Sequence, residues 1–242
     1  MLDEDKKQII MLIIAALSIM ALIVVIKNTD YNQKTENANI LTSPDLDFTA
    51  ENVMYYKNVK GYLVKPKIPE RYPGIIMIHE WWGLNDNIKS MADTLASKGY
   101  IVLAVDLFNG KIAQTQEEAK QLVSSLDSKE SLNNLKSAVT YLKTHEAINK
   151  MGSLGWGFGG GESLQLSLNS NLDATVIYYG NLVTDRENLS AIESPVLGIF
   201  GTENTPITVS AIKEFNSSLE DLGINKEIYI YEGVGNEFAN HS

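Results

Sequence analysis

Leu154-Gly155-Trp156-Gly157-Phe158-Gly159-Gly160-Gly161 joins a run that reads as a strand, Met151 to Trp156, to a stretch that reads as a helix, Ser163 to Leu168. Glycines two places either side of Gly157 give the spacing Gly-x-nucleophile-x-Gly. In that motif the chain turns sharply from strand to helix and presents its middle residue over the end of a sheet. Gly155 and Gly159 fill the flanking places, but the middle one holds Gly157, which has no side chain to attack anything. The same residues satisfy Gly-x-Gly-x-x-Gly, with Asp173 eighteen residues beyond Gly155. Dinucleotide binding is therefore a second reading. It is the weaker one, because such units usually open a domain and this turn follows several strands.

Outward from the turn, strand-like and helix-like patterns alternate. Gly74 to Ile78 is a continuous apolar run of the kind buried on both faces of a parallel sheet. Ile88, Met91, Ala92, Leu95 and Ala96 form one helical stripe, closed by Gly99. Ile101 to Val105 is the next strand, and Gln116 to Leu126 and Leu132 to Leu142 read as amphipathic helices. Ala174 to Tyr179, Val196 to Phe200 and Ile228 to Tyr231 add strands, with a helix from Ile207 to Leu222 between the last two. Val53 to Tyr56 and Tyr62 to Val64 form an opening hairpin. The expectation is one α/β domain over residues 51–242, a mostly parallel sheet with helices on both faces.

The 242 residues are 44% apolar and 21% charged, which excludes disordered and collagen-like classes. Twenty Lys and Arg against 30 Asp and Glu leave a net charge of −10, so no nucleic-acid partner and no broad basic membrane patch is expected. The absence of cysteine removes disulfides, thiolate metal sites and thiol nucleophiles together. With three histidines and no His or carboxylate cluster at ligand spacing, neither a metal nor a cofactor is expected.

Ile9 to Ile26 is 18 residues without charge or proline, bracketed by Lys6, Lys7 and Lys27. At 1.5 Å per residue it covers about 27 Å, enough for a bilayer core. Residues 1–27 are therefore expected to anchor the chain in a membrane by a single span. The lysine bias places the domain outside the cytoplasm, with a cleaved signal and secretion as the alternative. Residues 28–50 are polar, lack either periodicity and read as a tether.

Five blocks carry a resemblance: Ile78-His79-Glu80-Trp81-Trp82-Gly83-Leu84-Asn85-Asp86, Ala104-Val105-Asp106-Leu107-Phe108, the glycine turn, Tyr178-Tyr179-Gly180 and Tyr231-Glu232-Gly233-Val234-Gly235. In order and spacing they are similar to the dienelactone hydrolase family. The resemblance implies an α/β-hydrolase fold, a Cys-Asp-His triad that cleaves lactones or esters, a small ester or lactone as ligand, and no cofactor. This sequence departs at all three triad positions, which fall on Gly157, Asn204 and Asn236. A triad needs a nucleophile, a base to take its proton and an acid to orient that base. Gly, Asn and Asn supply none of these, so catalytic impairment is expected.

The backbone N–H groups that face the oxyanion in the family fall on Trp81 and Phe158, and backbone donors survive side-chain loss. Glu80 aligns with the acid beside the nucleophile and could serve as a base on water, though a satisfied polar residue at a sheet end is the plainer reading. Arginines that hold the substrate carboxylate in the family align near Gly110 and Asn240, leaving Lys111 as a weak substitute. His79 and Trp82 complete the expected substrate-binding set, with packing beneath the loop as the plainer role for His79. Family members continue into a final helix, whereas this sequence stops at Ser242. A missing C-terminal helix is expected, its place on the sheet open to an oligomer or partner.

Overall fold

The computed structural model describes residues 45–203, 207–235 and 238–239. Eight strands form one sheet: β1 (Phe48–Tyr56), β2 (Val59–Pro66), β3 (Tyr72–Ile78), β4 (Ile101–Val105), β5 (Ile148–Trp156), β6 (Ala174–Tyr178), β7 (Val196–Gly201) and β8 (Lys226–Tyr231). Their order is β1-β2-β4-β3-β5-β6-β7-β8. The β1–β2 and β2–β4 pairings are antiparallel, and every pairing from β4 to β8 is parallel. The helices are α1 (Asp86–Ser97), α2 (Gln116–Ser124), α3 (Ser128–His145), α4 (Phe158–Ser167), the single turn α5 (Arg186–Leu189) and α6 (Val209–Asp221).

The unalternated strand runs have the two-sided burial expected of them. In β3, Ile75 and Met77 pack with Ile88, Ala92 and Leu95 of α1 on one face. Ile76 and Ile78 pack with Leu135 and Leu142 of α3 on the other. Farther along the second face, Phe215 and Leu219 of α6 cover Ile177, Val196 and Phe200, beside Leu164 of α4. The strands and helices read from periodicity are all present, so the α/β expectation holds. The boundaries move where caps decide them. Asp127 accepts the Glu130 N–H and starts α3 ahead of its apolar stripe, while Thr115 and Asn85 cap α2 and α1 in the same way. β1 starts at Phe48, inside the expected tether.

Among the described residues no helix is long and apolar enough to cross a membrane. The expected membrane anchor and the outward-facing location built on it are corrected accordingly: Ile9 to Ile26 lie outside the described residues, and no described element takes up the role. The expected lack of a final helix concerns positions past Ala239, which also lie outside them.

Candidate active site

The parallel strands β3, β5 and β6 end side by side, and their carboxyl ends supply the site. At the end of β5 the chain turns at Gly157, with φ +53° and ψ −115°, and enters α4 directly. The Gly157 N–H donates to the Tyr178 carbonyl at 2.9 Å, and the Gly161 N–H to the Gly157 carbonyl at 3.2 Å. The flanking glycines are required by contact. A Cβ on Gly155 would stand 2.1 Å from the Gly159 carbonyl oxygen, and one on Gly159 would stand 2.4 Å from the carbonyl oxygens of Ile78 and His79. Of the three, only Gly157 has space, the nearest atom being 3.9 Å away on the Tyr179 ring. Gly157 makes no side-chain cap, so it leaves uncapped the first N–H groups of α4, which have no partner within the helix, and Phe158 at that start lines the site.

After β3, His79 and Glu80 are buried while Trp81 and Trp82 are half-buried. The Tyr179 hydroxyl, from the end of β6, donates to Glu80 Oε1 at 3.1 Å. Tyr179 takes a left-handed backbone, φ +36°, to reach it. Gly83, at φ +96°, turns the loop back, donating its N–H to the Glu80 carbonyl at 3.1 Å. A pocket of about 400 Å³ opens over this junction, lined by Glu80, Trp81, Gly157, Phe158 and Tyr179, with Val123 of α2 on its wall. Its interior is largely apolar. Chemically, it offers uncapped N–H groups at a helix start, a carboxylate held by a phenol, and no nucleophile at the apex.

Residues 59–242 match the Dienelactone hydrolase family. The chain belongs to that family. This dienelactone hydrolase family member is 28% identical over 226 residues to a Saccharolobus solfataricus protein named as a carboxymethylenebutenolidase, covering 75% of this chain and 84% of that one. To a Bradyrhizobium protein named as a 2-oxo-3-(5-oxofuran-2-ylidene)propanoate lactonase it is 28% identical over 196 residues, covering 75% and 79%. The crystal structure of a Klebsiella pneumoniae protein titled a dienelactone hydrolase superposes with a TM-score of 0.73 at 21% identity, covering 81% of this chain and 90% of that one. A dienelactone-hydrolase-like promiscuous phosphotriesterase from metagenomic libraries gives 0.71 at 20%, covering 78% and 83%. The structural neighbours establish the α/β-hydrolase fold, and the family places the chain in the hydrolase class.

Of the residues expected in this family member's site, Glu80, Trp81, Gly157 and Phe158 come together in the one pocket. Asn204, Asn236 and Asn240 lie outside the described residues. Lys111 does not join the others. It lines a separate depression of about 330 Å³ with Lys60, Lys89 and Asp106, on a loop held by the Lys111 N–H donating to the Phe108 carbonyl at 3.3 Å. Trp82 packs edge-on against Trp81, 5.2 Å between centroids, and its carbonyl accepts the Ala113 N–H. Asp173, the acid of the dinucleotide reading, accepts the Met151 N–H at 2.7 Å near the amino end of β5, the far end of that strand from the glycine turn. It cannot reach a ribose bound there. Tyr179 is a site residue that sequence reasoning does not single out, although its block carries part of the resemblance. Val123 carries no signal, since helical periodicity does not say which turn will overhang a pocket. Among the described residues no three His, Asp or Glu side chains gather to hold a metal.

His79 is fully buried, and both of its ring nitrogens are engaged. Nδ1 lies 2.6 Å from the Glu80 carbonyl, and Nε2 accepts the Leu107 N–H at 3.1 Å. It is not among the residues that line the pocket. Burial pushes its pKa below the usual histidine value. The folded protein keeps the ring neutral while the unfolded chain protonates below about pH 6.5. Stability is therefore complete above that pH and falls beneath it, by up to about 1.4 kcal/mol per unit. Denaturant titrations at pH 7.5 and 5.5 should show the fall, with a shallower one in His79→Asn. Equal slopes in the two proteins would remove this histidine from the account.

Proposed function

We propose that this dienelactone hydrolase family member binds a small ester or lactone in the pocket over Gly157 and is catalytically impaired. The observation that carries the reading is Gly157 itself: the strand-to-helix turn has its apex there, at a positive φ, and no side chain stands on it. The N–H groups of Phe158 and Trp81 are the donors that would polarise the ligand's carbonyl, and such donors with binding alone can leave about 10³–10⁴-fold catalysis over water when a triad is removed. The resemblance assigns the other two triad positions to Asn204 and Asn236. A relative named as a lactonase supports the ligand class.

The test is turnover of dihydrocoumarin, an aryl lactone, alongside its binding followed by calorimetry. Saturable binding with turnover far below about 1 s⁻¹, the lower end of ordinary enzyme rates, is expected. Turnover at or above that rate, abolished by heat denaturation, would overturn the impairment. Glu80 favours one second reading, slow hydrolysis with this carboxylate as base on water, because it lines the same pocket as Gly157. Under it, Glu80→Gln lowers whatever turnover remains by about 100-fold. Unchanged turnover excludes it.

A further inference from the structure

We infer that His79 is a positioning residue: it holds the Glu80–Trp81 peptide in the orientation that aims the Trp81 N–H at the pocket. The inference rests on the reading of that N–H as a donor to the ligand's carbonyl.

The reasoning starts from the ring's two partners. A main-chain carbonyl can only accept, so the 2.6 Å contact from Nδ1 to the Glu80 oxygen requires the proton on Nδ1. A main-chain N–H can only donate, so the 3.1 Å contact from Leu107 requires Nε2 to be bare. Each partner demands the same neutral tautomer. The peptide that follows is planar and trans, since the described chain contains no cis bond. In a trans peptide the C=O and the next N–H point in opposite directions. Fixing the Glu80 oxygen down onto the buried ring therefore turns the Trp81 N–H up, toward the pocket Trp81 lines. Gly83 donates to the same oxygen at 3.1 Å, so the carbonyl is held from two sides.

The ring is itself well held. Its centroid lies 4.7 Å from that of Phe108 and 6.1 Å from that of Phe158. The loop that supplies Leu107 is pinned by Asp106. Tyr55 Oη accepts the Asp106 N–H at 3.0 Å, Asn134 Nδ2 donates to the Asp106 carbonyl at 3.1 Å, and the Asp106 carboxylate accepts the N–H groups of Phe108 and Gly110. The anchoring thus runs from the end of β4 through one imidazole to one peptide plane in the site. Donor placement within tenths of an ångström is what separates an effective oxyanion donor from a merely present one.

Two substitutions separate positioning from bulk structural support. The amide introduced by His79→Asn would place an N–H donor where Nδ1 stands but could not reach Leu107. The longer one introduced by His79→Gln would place an acceptor where Nε2 stands but could not serve Glu80. Both variants bury an amide in the same cavity, so a purely structural role predicts equal effects. The readout is the carbonyl stretch of bound dihydrocoumarin labelled with carbon-13 at the carbonyl. The wild type and His79→Asn should show the band shifted below its position in water, and His79→Gln should lose most of the shift while binding within about threefold of wild type. Equal shifts in the two variants, or the reverse order, overturn the inference. Binding to the wild type without any shift instead overturns the oxyanion reading beneath it. Nitrogen-15 spectra of the wild type decide independently of folding in the variants: a protonated Nδ1 and a bare Nε2 are required, and the other tautomer refutes the assignment.

Discussion

Gly159→Ala and Gly155→Ala should each cost about 4 kcal/mol or more of folding stability, whereas Gly157→Ala should cost about 1–2 kcal/mol. The three glycines lie within five residues, and the motif's spacing sets the middle one apart from the flanking pair without saying how large the difference is. Their surroundings do. The methyl on residue 159 would meet two main-chain oxygens at 2.4 Å, those of Ile78 and His79, and the methyl on residue 155 would meet the Gly159 oxygen at 2.1 Å. Backbone atoms at the ends of β3 and α4 cannot step aside as a side-chain tip can, so the helix would have to lift off the sheet. That exceeds ordinary overpacking of about 1–3 kcal/mol and falls in the exceptional range. At Gly157 the methyl meets nothing closer than 3.9 Å, and the cost reduces to holding a non-glycine residue at φ +53°. Chemical denaturation of the three variants checks the ranking. Equal losses, or a larger loss at residue 157, would mean that the turn is not packed as described.

That contrast also shows which parts of the fold the sequence discloses. Gly74 to Ile78 reads as two-sided because no polar residue interrupts it, and burial on both faces follows from chain-local information. The start of α4 does not. Helix propensity disfavours a first turn holding Gly159, Gly160 and Gly161, so periodicity alone starts the helix near Ser163. Backbone packing against β3 and β6 overrides propensity and starts it at Phe158. The site divides in the same way. Gly157 is legible from the glycine spacing at a strand end, and Glu80, Trp81 and Phe158 are legible through the family resemblance of their blocks. The bond between Tyr179 and Glu80 spans 99 residues, and no local pattern announces it. His79 is legible as a scarce residue in a suggestive place. Its work lies in where two backbone groups point, which only coordinates reveal.

The expected result with the greatest effect is a gain. Gly157→Cys combined with Asn204→Asp and Asn236→His should raise turnover of an activated aryl ester by about a thousandfold or more over the parent, while each single change should raise it little. The reason is that triad members act as a unit and their effects are grossly non-additive. A cysteine alone at position 157 has no base to take its proton, and a histidine alone at 236 has nothing to activate. The apex can receive the side chain, since its Cβ would meet nothing closer than 3.9 Å, at the backbone cost already given for a non-glycine residue at φ +53°. The donors proposed at Phe158 and Trp81 are already in place. With no other cysteine in the chain, the repaired activity should begin with an acyl-enzyme burst equal to the enzyme present and vanish on thiol alkylation. A triple variant that folds as the parent does but gives no burst would show that positions 204 and 236 do not meet position 157 in space. A parent already as active as the triple variant would show that the chemistry never depended on them.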